Sequence, residues 1–215
     1  MAAVISGVTL SGDQHLMNVK GVEEGISLEA LQKGGKRAFA QLVEIHSEAI
    51  YRVSFRMLND AQDAEDILQE TFIKAFRYLP TFEGRSQLST WLYRIAINEA
   101  LMLIRKRKPD TTSIDEEIET DQDGFIPRQI VDFCCLPEDT FDNRETQAAI
   151  SRAVDRLSPA NRATFILRDI SGLSTKETAD TLQISESAVK TRLLRARLEL
   201  REALSGYFSE RMVTP

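Results

Sequence analysis

The chain has 215 residues, 42% of them hydrophobic and 28% charged, which is enough for one or two ordinary folded domains. No run of 18 or more apolar residues is present, which excludes a membrane-spanning helix. The net charge of −6 would argue against a nucleic-acid partner, but by segment it is −3 over 1–30, +4 over 31–108, −10 over 109–145 and +3 over 146–215. Two basic blocks therefore flank one acidic stretch.

The first 26 residues show no sustained periodicity and are predicted to be a flexible leader. They lack the basic flank of a signal peptide, so we expect a cytoplasmic protein without membrane insertion. From Ser27 the apolar residues recur at helical spacing. They predict a short helix to Lys33, a break at Gly34 and Gly35, and a long core helix ending near Asn59.

The next helix is predicted from about Ala61 to Leu79, ended by Pro80. Its apolar stripe predicts a core face made of Ala64, Ile67, Leu68, Thr71, Phe72, Ala75, Phe76 and Leu79. A loop follows, and a third helix is predicted from about Ser89 to Lys108, where Pro109 stops it. That helix closes on four cations, Arg105, Lys106, Arg107 and Lys108.

Residues 109–145 are acidic, poor in periodicity and include Pro127 and Pro137, which is typical of a solvated, flexible linker. The adjacent Cys134 and Cys135 fit neither a disulfide framework nor a metal-binding spacing, and are either plain loop thiols or a redox switch. The two histidines, His15 and His46, have no evident catalytic partner, and His46 is interpreted as a surface or satisfied helix residue. No catalytic residue, metal or cofactor is expected.

After the linker, four helices are predicted: from Arg144 to Leu157, Pro159 to about Ile170, Thr175 to Leu182, and about Glu186 to Leu204. A cap residue precedes Pro159, and Ser174 with Glu177 forms a capping-box pattern. The sequence predicts an all-α fold of two small helical domains, 27–108 and 146–208, joined by the acidic linker 109–145, with a short tail at 209–215.

The stretch STKETADTLQISESAVKTRLLRAR, from Ser174 to Arg197, has helix-turn-helix spacing. Its second helix carries groups suited to phosphates and to the major-groove edge of guanine, namely Lys190, Thr191, Arg192, Arg195 and Arg197. Charge alone would favour a basic amphipathic helix with a solvated face. The capping box, the short turn and the basic second helix together favour DNA binding.

Several longer segments identify a family by resemblance. LQKGGKRAFAQLV, DAEDILQETFIKAFRYLPTF and STWLYRIAINEA resemble sigma region 2, and RLSPANRATFILRDISGLSTKETADTL with SAVKTRLLRARLELR resembles sigma region 4. Both occur in the family's order with a linker between them. The chain resembles an extracytoplasmic-function (ECF) sigma factor, the two-domain branch of the bacterial sigma-70 family, over about residues 28–208.

The resemblance implies a non-enzymatic subunit that binds core RNA polymerase, recognises the −35 and −10 promoter elements and helps open the DNA. In such factors region 2 holds the clamp of the largest polymerase subunit. The corresponding polar face here comprises Asp66, Gln69, Glu70, Ile73 and Arg77. Ile73 stands in the middle of that face, although a lone exposed isoleucine needs no partner.

Region 2 of the family also captures one unpaired base of the −10 element, which by resemblance involves Phe82, Arg85, Ser86 and Asn98. Phe82 offers a stacking face and Asn98 a donor and an acceptor, but Phe82 could instead be core and Asn98 could cap a loop. Trp91 is expected to pack the domain. Arg105, Lys106, Arg107 and Lys108 are expected to position phosphates.

Region 4 of the family reads the −35 element and docks on the flap of the second-largest polymerase subunit. Carried over, the reading face is Lys190, Thr191, Leu194 and Arg195, with Arg192 and Arg197 nearer the phosphates. Members of the family are often regulated by an anti-sigma factor, which we expect as a further partner. Two alternatives remain from the residues alone: a polymerase-independent helix-turn-helix regulator, and an all-helical adaptor that binds only proteins.

Overall fold

A computed structural model describes residues 26–107 and 144–212 of the chain. The predicted leader up to residue 25, Lys108, the pair Cys134 and Cys135 and nearly all of the predicted linker lie outside the described residues. Within these residues every regular element is helical, which confirms the all-α prediction.

Eight α-helices occur in the described ranges. They are α1 Leu28–Gln32, α2 Lys36–Leu58, α3 Ala61–Tyr78, α4 Leu88–Arg107, α5 Arg144–Arg156, α6 Pro159–Phe165, α7 Thr175–Leu182 and α8 Glu186–Met212. A 3₁₀ turn, Leu79–Thr81, follows α3, and a π-helical turn, Ile166–Ile170, continues α6.

The break between α1 and α2 depends on two glycines. Gly34 has a φ of 75°, which residues with a Cβ rarely adopt. A Cβ at Gly35 would lie 2.8 Å from the carbonyl oxygen of Ala30, so a side chain there would clash with backbone. The sequence prediction of a break at this point is confirmed.

Helix α1 also supports the loop that precedes α4. It packs against the 3₁₀ turn, and the Gln32 side-chain amide donates a 2.7 Å hydrogen bond to the carbonyl oxygen of Phe82. Gly84, with a φ of 70°, lies so close to α1 that a Cβ there would be 3.3 Å from the Leu28 side chain. The loop is therefore fixed from outside as well as by its own residues.

Helices α2, α3 and α4 pack against one another around a core that includes Leu42, Ile50, Val53, Met57, Ala64, Ile67, Phe72, Leu92 and Ile97. One member of the predicted core stripe of α3 was assigned wrongly. Phe76 is 49% exposed, and its ring makes an edge contact with Phe39 at a centroid distance of 5.0 Å. Helical periodicity predicted the buried face of α3 correctly. Phe76, near the C-terminal end of that face, is only partly covered by α2.

The second half follows its predicted capping signals. Ser158 accepts from the Asn161 amide ahead of Pro159, and Ser174 and Glu177 form both hydrogen bonds of the capping box. Two details differ from the prediction: α6 changes to π-helical geometry at Ile166, and α8 continues to Met212 instead of ending near Leu204. Val154, Leu157, Ala196, Leu200 and Leu204 are buried where α5 packs on α8.

The two halves are not separate in the structure. Helix α7 packs on α4, while α6 and the π-helical turn contact α2. Ala163, Ile166, Leu167 and Leu173 belong to the same buried cluster as the core of α2, α3 and α4. Among residues 26–107 and 144–212, none of the helices has the length and apolar character needed to cross a membrane.

His46 is buried on α2 with 1% of its surface exposed, so the first of its two interpretations, a surface residue, is wrong. Burial lowers the pKa of its imidazole from 6.5 to about 4. Between these values the unfolded chain binds a proton that the folded chain does not, so stability falls as pH falls through this window. We expect a loss of roughly 2 kcal/mol between pH 7 and pH 5.

Urea unfolding of the protein and of His46→Leu at both pH values measures this loss. The variant should lose markedly less stability on acidification, whereas His15→Asn, which alters the other histidine, should behave like the original protein. An unchanged pH dependence in His46→Leu would contradict the assignment.

Candidate nucleic-acid interface

The helix-turn-helix of α7 and α8 is held by small and aliphatic side chains on its inner side. Ala179 of α7 and Val189 of α8 are buried, while Leu182 and Leu193 are half-buried. Gln183 closes α7 in the left-handed conformation, with a φ of 56°, and allows the chain to turn within three residues. The Ser185 hydroxyl then caps α8 by accepting from the Ala188 amide at 3.2 Å.

The outer side of α8 carries the predicted reading face. Lys190, Thr191 and Arg195 are exposed, and Leu194 is 41% exposed. The Thr191 hydroxyl donates to the Ser187 carbonyl oxygen at 3.0 Å, so its oxygen remains available as an acceptor. The structure thus brings these four side chains together on one solvent-facing surface.

The two flanking arginines have different surroundings. Arg192 is half-buried. Arg197 makes two hydrogen bonds to the carboxylate of Asp169 in the π-helical turn, from Nε at 2.9 Å and from Nη2 at 2.8 Å. This bidentate ion pair joins α8 to the end of α6, and it competes with any phosphate for the Arg197 guanidinium.

A second group of predicted residues lies around the start and middle of α4. Phe82 is 9% exposed, and its ring packs on the half-buried Trp91 at a centroid distance of 4.9 Å. Phe82 is therefore a core residue, as one of its two interpretations expected. Its role in stacking on a base stays a prediction. Asn98 is exposed and lies seven residues after Trp91, about 10 Å along the same side of the helix.

The loop residues before α4 are only partly available. Arg85 is exposed, with its guanidinium 2.5 Å from the carboxylate of Glu83, and Ser86 is half-buried. At the other end of α4, Arg105 and Lys106 are exposed. Arg107 instead donates two hydrogen bonds to Asp63, and this hydrogen bonding raises the pKa of the guanidinium. Lys108 lies beyond the described range.

The polar face of α3 has the predicted composition. Asp66, Gln69 and Arg77 are exposed, and Ile73 is 45% exposed at the centre of the face. Glu70 is half-buried and lies 3.5 Å from Lys74, which also contacts Glu99 of α4 at 2.5 Å. Phe76 and Tyr78, 49% and 57% exposed, add apolar surface to this end of α3 that the sequence did not predict.

Comparison with known families accounts for both halves of the chain. The model for sigma-70 region 2 matches residues 42–109, and that for sigma-70 region 4 matches residues 147–200. The ECF RNA polymerase sigma factor SigW of Bacillus subtilis is 37% identical over 82% of this chain and 94% of its own length. The RNA polymerase sigma-H factor of Pseudomonas aeruginosa is 35% identical over 85% of this chain and 94% of its own length.

The chain belongs to the ECF sigma factors of the sigma-70 family.

Solved structures agree with this assignment. CnrH in complex with the cytosolic domain of CnrY has a similar fold, with a TM-score of 0.61 and 25% identity over 83% of this chain and 95% of that one. The sigma factor RpoE in complex with the anti-sigma factor NepR from Bartonella quintana has a TM-score of 0.56 and 26% identity over 78% of this chain and 96% of that one. As an ECF sigma factor, the protein is a promoter-directing initiation factor of RNA polymerase and not an enzyme.

The Asp169–Arg197 ion pair gives a prediction for this ECF sigma factor. If Arg197 holds α8 in place instead of binding phosphate, Arg197→Ala should leave the salt dependence of −35 DNA binding unchanged. A lost phosphate contact would reduce the slope of log affinity against log salt concentration by about 0.9. Fluorescence anisotropy across a salt series separates the two cases, with Lys190→Ala as the variant expected to reduce the slope.

Proposed function

We propose that the two regions of this sigma factor divide promoter recognition between them, region 4 reading the −35 element and region 2 capturing an unpaired −10 base. The observation that carries the first part is the exposed surface of α8, where two cations, a hydroxyl and an apolar side chain face solvent opposite a buried side. Lys190 and Arg195 offer donors to guanine and phosphate, and Leu194 can contact a thymine methyl group.

The α4 side chains support the second part. Asn98 is exposed and can both donate to and accept from the edge of a base. We assign Phe82 a supporting role, because its ring packs on Trp91, which lies two helical turns before Asn98 on the same side of α4. Arg85 and Ser86 remain candidates for contacts to the displaced strand, and Arg105 and Lys106 for contacts to phosphates. Arg107 is the weakest of these candidates because Asp63 engages it.

The experiment for the whole proposal is run-off transcription with purified core polymerase, with and without this protein, on a panel of promoters. New start sites that depend on the protein are the expected result. If the protein bound promoter DNA unaided but never redirected core polymerase, the independent-regulator alternative would replace the proposal. If the protein showed no salt-dependent DNA binding, the alternative of an adaptor that binds only proteins would replace the proposal.

Asn98→Ala tests the base pocket within that experiment. Extruding a base costs a few kcal/mol, so losing one edge contact should slow opening about tenfold while leaving closed-complex binding nearly unchanged. Permanganate footprinting of unpaired thymines measures opening, and a filter assay at low temperature measures binding. Gln87→Ala, which alters an exposed amide just before α4, is the matched control. If Asn98→Ala opened the promoter as fast as the original protein, Asn98 would not belong to the proposed base pocket.

The polymerase contacts are proposed at the level of subunits. We assign the face of α3 around Ile73 to the clamp of the largest subunit, because an exposed isoleucine within a polar surface gains most from an apolar partner. Region 4 is assigned to the flap of the second-largest subunit by family resemblance. Partnership with core polymerase also leads us to infer a cytoplasmic location.

An anti-sigma factor is a proposed further partner. The support is that both similar solved structures are complexes, CnrH with the cytosolic domain of CnrY and the sigma factor RpoE with the anti-sigma factor NepR. The domain division also remains a proposal: region 2 over 27–108, region 4 over 146–208, and between them the acidic segment 109–145.

A further inference from the structure

Helix α1 is fixed to the body of region 2. It is five residues long, and so short a helix is not stable without packing. Leu31 is 2% exposed and belongs to the core cluster, while Leu28 packs against that cluster. The amide of Gly35, the N-cap residue of α2, donates to the carbonyl oxygen of Ala30 at 2.8 Å. Helix α1 can therefore serve as a fixed support for the residues that it contacts.

The Gln32 side chain bonds to a peptide group that lies fifty residues later in the chain. Its amide nitrogen donates to the carbonyl oxygen of Phe82 at 2.7 Å, and the side chain is half-buried. The backbone amide of Phe82 donates in turn to the carbonyl oxygen of Leu79 at 3.1 Å. Both backbone polar groups of Phe82 are thus engaged, one by the 3₁₀ turn and one by α1.

The loop 82–87, between the 3₁₀ turn and α4, begins at this peptide group. It carries three residues of the proposed base pocket, Phe82, Arg85 and Ser86. The Phe82 ring packs on Trp91 at 4.9 Å, and Leu28 of α1 lies close to Gly84. Ordering the backbone of a loop costs conformational entropy. Because this loop is already ordered in the free protein, that cost does not oppose the capture of a base.

We propose that Gln32 is a positioning residue for capture of the −10 base, and that it acts through the backbone of Phe82 without touching DNA. The inference rests on the proposed function, in which the loop 82–87 helps to receive the unpaired base. The bond from Gln32 reaches a main-chain oxygen, so it determines the course of the loop whatever the loop's side chains contact. Loss of this bond should weaken binding of the unpaired strand and leave binding to core polymerase unchanged.

Fluorescence of Trp91 tests the positioning in the free protein. Trp91 is the only tryptophan of the chain and its ring packs on Phe82, so its emission reports on the loop. Gln32→Leu keeps a similar side-chain volume but removes the donor. Acrylamide quenching of Trp91 should increase in this variant under conditions in which urea unfolding shows it to be fully folded. Quenching equal to that of the original protein would overturn the positioning role.

Binding of a single strand tests the consequence for base capture. The assay uses the complex of this protein with core polymerase, and a fluorescent oligonucleotide with the non-template −10 sequence of a promoter that the complex transcribes. Gln32→Leu should weaken oligonucleotide binding about fivefold, which is the effect of one hydrogen bond, without changing the affinity for core polymerase. Equal oligonucleotide affinities would overturn the inference. Equal weakening of both affinities would indicate a general structural effect and would overturn it as well.

A rescue experiment with charge-matched controls separates positioning from packing. Gln32→Lys restores a donor that can reach the Phe82 carbonyl oxygen, whereas Gln32→Glu places an acceptor opposite another acceptor. Gln41→Lys and Gln41→Glu make the same charge changes at an exposed glutamine of α2. Relative to its control, Gln32→Lys should bind the oligonucleotide within about twofold, and Gln32→Glu at least about fivefold more weakly. If the two substitutions did not differ after comparison with their controls, the positioning role would be contradicted.

Failure of the proposed function would give a different result. If this protein with core polymerase bound the oligonucleotide no better than core polymerase alone, region 2 would not capture a base. That result would overturn the proposed function and, with it, the role of Gln32 in base capture, while the Trp91 measurement would still decide whether Gln32 holds the loop. If the original complex bound the oligonucleotide and every Gln32 variant bound it equally well, only the role of Gln32 would be contradicted.

Discussion

Replacing Ile73 with aspartate is expected to weaken binding to core polymerase about a hundredfold while leaving the fold intact. Burying an isoleucine contributes roughly 1.5–3 kcal/mol, and a carboxylate left unpaired in an apolar contact costs more. In the free protein the side chain is 45% exposed, so the substitution disturbs little of the internal packing. Affinity is measured by titrating labelled protein with core enzyme.

Tyr78→Asp is the matched control for this prediction. Tyr78 is 57% exposed on the same helix, five residues later and therefore about 140° around the helix axis from Ile73. The control should bind core polymerase almost normally. Equal weakening by both substitutions would indicate a general effect of charge or of helix stability, and the clamp-binding face would then have to be placed elsewhere.

The second large effect is expected from Arg195→Ala in region 4. A bidentate contact from arginine to guanine contributes roughly 1–3 kcal/mol of discrimination, so the preferred −35 element should be bound about tenfold to a hundredfold more weakly. The preference for guanine at one position of that element should disappear with it. Binding to a library of −35 sequences, sequenced after selection, measures both effects together.

Arg201→Ala provides the comparison. Arg201 is exposed on the same helix but lies beyond the reading face, so its loss should reduce affinity slightly and uniformly across sequences. If Arg195→Ala also weakened all sequences uniformly, Arg195 would be a phosphate contact and base reading would fall to Lys190 and its neighbours.

Local signals in the sequence predicted most of the helical fold. The capping box of Ser174 and Glu177, the cap before Pro159 and the Gly34–Gly35 break act within a few residues, and each appears in the structure where the sequence placed it. Helical periodicity also assigned Ile73 correctly to an outer face. These features need no knowledge of which helix packs on which.

The features that were missed depend on contacts between distant residues. Periodicity placed Phe76 on an apolar face but could not show that its neighbours leave it half open, and it gave no reason to bury His46. The cations Arg107 and Arg197 looked available for phosphates because their partners, Asp63 and Asp169, lie 44 and 28 residues away in the chain. The interface between the two regions left no local signal at all.

Helix α1 affects how the boundary of region 2 should be drawn. The family match begins at residue 42, whereas α1 ends at Gln32, whose side-chain amide donates to the carbonyl oxygen of Phe82. Leu28, the first residue of α1, lies close to Gly84. A fragment trimmed to residues 42–109 would keep every predicted −10 contact, yet would lose the contacts from α1 that fix the loop before α4. The structural unit of region 2 therefore starts earlier than the residues that the family model matches.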